Sequence, residues 1–151
     1  KCDTQGSELA ICQHAGAAIK RAVMLQLELS PTPLYHGEAS LFEVGHWLEQ
    51  QGWVLHTFSN LNTRLLKPFG TDESPFGGKH HLLQVDAVFI PDLRHWDRLS
   101  EPQLKELSFL AHAMYRSHDL AQRALWALDQ RDDGQRAEAY VAYLKEGGYH
   151  A

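Results

Sequence analysis

Two periods alternate along the chain, and each change of period marks an element. Leu9, Cys12 and Ile19 recur at near-helical spacing behind the cap-competent Ser7, so residues 8–20 are predicted to form a helix with Gly16 as its weak point. Lys1 to Thr4, ahead of it, reads as the tail of a strand. Val23–Leu29 is short and apolar and stops at Ser30-Pro31-Thr32-Pro33, where two prolines exclude further pairing, which is the pattern of a buried strand. Ser40 with Glu43 three residues on forms a capping box, and Phe42, Trp47 and Leu48 ahead of Gly52 complete a helix over about 41–51.

Trp53–Phe58 supplies another strand. Ser59 to Lys79, with Gly70, Pro75, Gly77 and Gly78 and little periodicity, reads as a long loop. Leu82–Ile90 is a strand whose interior Asp86 sits awkwardly in a core, and it pairs antiparallel with the strand before it. Strand and helix alternating at this spacing imply a three-layer α/β sandwich on a mainly parallel sheet, with the last pair at one side. Beyond Ser100 the pattern is helical throughout. Ser100 and Gln103 make a second capping box before Leu104, Leu107, Leu110, Ala111 and Met114. A helix from Asp119 turns Leu120, Ala124, Leu125 and Leu128 inward, and one from Gln135 to Glu146 does the same with Tyr140, Val141 and Leu144. Trp47 and Trp53 are expected at a helix–strand junction, Trp96 and Trp126 between the C-terminal helices and the sheet.

Composition narrows the function classes. The chain has 151 residues, 44% hydrophobic and 22% charged, enough to bury a core without disulfides or a structural metal. Its 14 Lys and Arg against 19 Asp and Glu give a net charge of −5 with no basic window, which argues against a nucleic-acid partner. No apolar run approaches a membrane span, and Lys1–Gly6 carries no apolar signal core. Cys2 and Cys12 lack a CxxC pattern, so a reducing, cytoplasmic setting is the simpler reading.

Candidate chemistry concentrates at two strand ends. Ligands of open α/β sheets sit beyond the carboxyl ends of strands, so Asp3 and Gln5 are expected to face a crevice. Geometry alone allows Asp3 equally well to satisfy the amides of a helix-entry turn. Glu28, Tyr35 and His36 belong to the next strand end, where Glu28 also suits a helix N-terminus or an arginine. Glu8, in a first helical turn, is explained by the macrodipole. Ten histidines invite a metal, but His112 and His118 are predicted on opposed helix faces and His80-His81 in a solvated turn, so no metal site is assigned.

The order Asp3-x-Gln5-Gly6-x-Glu8, Gln26-Leu27-Glu28-Leu29, Pro33-Leu34-Tyr35-x-Gly37, a Leu-Phe-Glu helix and Gly52-Trp53 resembles the C-terminal half of FkbM-type methyltransferases. Leu83–Phe89 is similar to that family's closing strand, and the likeness covers about residues 1–60 and 82–92. It implies a Rossmann-like class I methyltransferase sheet, mostly parallel with a reversed last strand, over residues 1–97, followed by a helical extension over 98–151. It implies S-adenosylmethionine as methyl donor and a hydroxyl on a small molecule or glycan as acceptor. Asp3 and Gln5 are then the cofactor-side residues, Glu28, Tyr35 and His36 the acceptor-side ones, and Asp3, Glu28 and His36 the catalytic candidates. The glycine-rich turn and the ribose-holding acid belong to the N-terminal half of such enzymes, and neither occurs here. Cys2 stands where the family more often has an aliphatic residue. The C-terminal helices either cover the sheet or form a homo-oligomer face. The competing readings are a non-catalytic α/β interaction module and, third, a glycosyltransferase, which lacks its Asp-x-Asp pattern here.

Overall fold

A computed structural model describes residues 1–68 and 80–149. The chain divides into two compact units, Lys1–Asp92 and Leu93–Ala151.

In the first unit the predicted helix over 8–20 breaks at its weak point. Gly16 takes φ 55° and separates α1 (Glu8–His14) from α2 (Ala17–Arg21). β1 (Leu25–Leu29), α3 (Leu41–Gln50), β2 (Trp53–Arg64) and β3 (His81–Pro91) follow. β2 runs through Ser59–Arg64, which the sequence assigns to a loop, while Gly70, Pro75, Gly77 and Gly78 of that loop lie outside the described residues.

The sheet corrects the expected fold. Its order is β1-β3-β2 and both ladders are antiparallel, so the mostly parallel, Rossmann-like sheet is not what forms. The cause lies in β3. β1 and β2, joined through α3, run in the same direction, but β3 inserts between them and pairs antiparallel with each. The one parallel element among the described residues is an isolated bridge, Cys2 to Leu27, on the outer edge of β1.

Strand alternation sorts the two faces. Leu27, Leu29, Val85, Ala87 and Phe89 join Cys12, Val44, Leu48 and Trp53 in one core. Gln26, Glu28, Gln84 and Asp86 take the opposite side. Cys12 is packing rather than chemistry, since burial pushes its thiol up to about 11. α3 starts at the expected capping box: the Ser40 hydroxyl accepts from Glu43 N–H at 3.2 Å and the Glu43 carboxylate accepts from Ser40 N–H at 2.8 Å. Ser40→Ala is expected to cost about 1 kcal/mol, read as a lowered midpoint in urea at unchanged slope. Phe42 of α3 is 70% exposed.

The second unit is helical: α4 (Glu101–Tyr115), α5 (His118–Asp132) and α6 (Arg136–Glu146) follow a short 3-10 turn over Leu93–Arg98. Leu104, Leu107 and Ala111 of α4 are buried as predicted, but Met114 is exposed. Trp96 is buried, whereas Trp126 is half exposed and stacks on the Arg123 guanidinium at 4.3 Å. Asp129 joins α5 to α6 by accepting the Arg136 and Ala137 amides at 3.0 and 2.8 Å.

Candidate functional site

The site begins with a strained turn. Gln5 sits at φ 57° and Gly6 at φ 112°, both at positive φ. A Cβ on Gly6 would meet that of Glu38 at 3.3 Å, so glycine is required there on two counts. The buried Glu8 carboxylate holds the turn closed by accepting from Thr4 N–H at 2.6 Å, Gly6 N–H at 2.9 Å and the Thr4 hydroxyl at 3.0 Å. Burial alone would raise the Glu8 proton affinity, but these hydrogen bonds outweigh it and hold the carboxyl below its ordinary value. Glu8 is therefore a turn clamp.

What the clamp presents is the Gln5 side chain. Its amide Nε2 donates to Glu28 Oε2 at 2.6 Å and to Asp3 Oδ1 at 3.2 Å, while its Oε1 accepts from the Tyr35 hydroxyl. These partners fix the amide orientation. From β3, Gln84 Nε2 donates to the same Glu28 Oε2 at 3.3 Å. Both amides bind the same carboxylate oxygen. Burial, and then the Asp3 charge, raise the Glu28 proton affinity above the ordinary carboxylate value, against the lowering effect of Gln5. A carboxylate of raised proton affinity can take a proton from a hydroxyl.

Four of the five sequence candidates thus converge: Asp3, Gln5, Glu28 and Tyr35. His36 does not join them. It is exposed, and no hydrogen bond or ion pair among the described residues ties it to the cluster. The loop is positioned instead by Glu38, whose carboxylate accepts from the Leu34 and Tyr35 amides. Sequence reading missed Lys1, Gln84 and Asp86. Lys1 Nζ lies 3.8 Å from Asp3 and 3.7 Å from Asp86, and Asp86 is the cross-strand partner of Glu28. The signal was Asp86 inside an apolar strand.

Comparison with protein-family models, with curated proteins and with solved structures finds no match. An apolar groove of about 470 Å³, lined by Leu41, Phe42, His46, Leu55 and Phe58, contains none of the convergent residues. In the second unit the histidine expectation fails in its geometry. Arg116 ends α4 in the left-handed conformation and reverses the chain, so His112 and His118 rings lie 5.3 Å apart, both bonded through Nδ1 to the Tyr140 hydroxyl. No group of three or more metal-ligating side chains occurs among the described residues. No helix among them is long and apolar enough to cross a membrane.

Proposed function

We propose that the Asp3–Gln5–Glu28–Tyr35 cluster is the acceptor side of an S-adenosylmethionine-dependent O-methyltransferase acting on a hydroxyl of a small molecule or glycan. The observation that carries the reading is Glu28: a carboxylate of raised proton affinity, held at Oε2 by the Gln5 and Gln84 amides beside Asp3 and Tyr35. An alcohol is a poor nucleophile until its proton leaves, and Glu28 is the group placed to receive that proton. Asp3 and Tyr35 add an acceptor and a donor that orient a hydroxylated ligand. The surplus of carboxylates, Asp3, Glu28 and Asp86 against Lys1, suits a sulfonium cation and disfavours an anionic ligand. When bound, S-adenosylmethionine supplies an electrophilic methyl group.

Isothermal titration of S-adenosylhomocysteine into the protein tests the reading. Binding is expected. Absence of binding by the folded protein overturns it in favour of a protein-interaction module, the alternative that Phe109 and Met114, exposed on α4, support.

A further inference from the structure

Glu28 of β1 and Asp86 of β3 are register partners in an antiparallel pair, on the face away from the core. Side chains so placed have Cβ atoms about 5 Å apart, and like charges there oppose pairing. Asp86 is strongly enclosed, its side chain only 13% exposed. Its Oδ1 accepts no hydrogen bond among the described residues, and the cation beside it is the Lys1 ammonium at 3.7 Å. The Lys1 ammonium lies beside this carboxylate, which faces Glu28 across the ladder.

We propose that Asp86 is a positioning residue for Glu28, its enclosed negative charge facing Glu28 across the ladder and making Glu28 a stronger base in the proton transfer. The inference rests on the methyltransferase reading and adds to it what sets the strength of the base. Among the described residues, the charged and titratable groups of the cluster beside Glu28 come from three segments. Asp3 and Lys1 come from the N-terminal segment, Asp86 from β3, and Tyr35 from the loop, its hydroxyl directed to Gln5. Glu38 is engaged by the Leu34 and Tyr35 amides. β2 contributes neutral residues, Asn60 opposite Asp86 and Asn62 opposite Gln84. Burial and Asp3 act on Glu28 in the same direction as Asp86 and are the stronger influences, so the expected effect of Asp86 alone is modest.

The test is a carboxyl-carbon NMR titration of Glu28, paired with the pH dependence of methyl transfer by the protein. Asp86→Asn is expected to lower the Glu28 midpoint by up to about one pH unit and to move the acid limb of the rate profile down with it. Lys1→Met, which uncovers the charges of Asp86 and Asp3, is expected to move both the other way. Because the two variants have opposite signs, misfolding of one does not remove the test. A Glu28 midpoint unmoved by a folded variant overturns the inference whatever the activity. A rate profile that stays put while the midpoint moves overturns the role in catalysis. Midpoints that move as expected in a protein with no methyl transfer at any pH leave the electrostatic coupling standing and overturn the methyltransferase reading instead.

Discussion

Glu28→Gln is expected to lower methyl transfer by about 10²–10⁴-fold while the protein stays folded, because the amide keeps the shape of the carboxylate and cannot accept the hydroxyl proton. The substitution is close to isosteric, and the carbonyl oxygen of the introduced amide can still accept from the Gln5 and Gln84 amides that hold the carboxylate at 2.6 and 3.3 Å. Affinity for S-adenosylhomocysteine should change little. In the unsubstituted protein the rate should rise with pH as Glu28 loses its proton, with an acid limb above the ordinary value of 4.5. The variant should show no such limb. Initial rates of methyl transfer across pH for both proteins decide the matter, and full turnover in Glu28→Gln would remove the base from Glu28. Asp3→Asn then separates the carboxylates: it should lower turnover and, because the Asp3 charge raises the Glu28 proton affinity, move the acid limb to lower pH without abolishing it.

Glu8→Ala should be the most damaging of the polar substitutions for stability in the first unit, at about 2 kcal/mol. It strands the Thr4 and Gly6 amides, which Glu8 satisfies at 2.6 and 2.9 Å, and it releases a turn with Gln5 and Gly6 at positive φ. Glu8 is 3% exposed, so water replaces those bonds poorly. Glu8→Gln retains one acceptor oxygen and should lose less. The pH dependence has a definite sign. A carboxyl held below its ordinary value of 4.5 contributes fully above that value and loses its contribution as pH falls through the lower, folded one. Glu28, with its proton affinity raised, has the opposite sign: it favours the fold when protonated and loses that contribution as pH rises through the raised value. Urea unfolding from acid to neutral pH should show the acid-side loss of stability diminished in Glu8→Ala. An undiminished loss, or an unchanged midpoint, would show that the turn closes without its clamp.

Local rules carried the reading of the sequence a long way. Both capping boxes, the break at Gly16 and the antiparallel pairing of β2 with β3 follow from interactions within a few residues or from apolar period. Neighbour choice within the sheet did not. Nothing near Leu25–Leu29 says that β3 rather than β2 will lie beside it, since Val85, Ala87 and Phe89 offer the same apolar period as any core strand. The candidate site divides along the same line. Asp3, Gln5, Glu28 and Tyr35 were legible because a strand end and a glycine turn mark them. Gln84 and Asp86 were not, because their roles depend on a register fixed only when β1 and β3 pair. His36 misled because a histidine beside a strand end looks reactive until Glu38 is seen to hold the loop. His112 and His118 misled because their faces were reckoned as on one continuous helix, where Arg116 reverses the chain.

The central place of β3 also sets the order in which the molecule can assemble. Gln84 meets Glu28 across 56 residues of sequence, and no β1 pairing within the sheet can form until that loop has closed. Helices α1 and α3 and the β2–β3 pair rest on nearer contacts and are free to form first. The carboxylates of β1 and β3 therefore come together late, so a partly folded chain would hold its secondary structure before it held a working site, and recovery of activity on refolding should lag behind recovery of the helical signal.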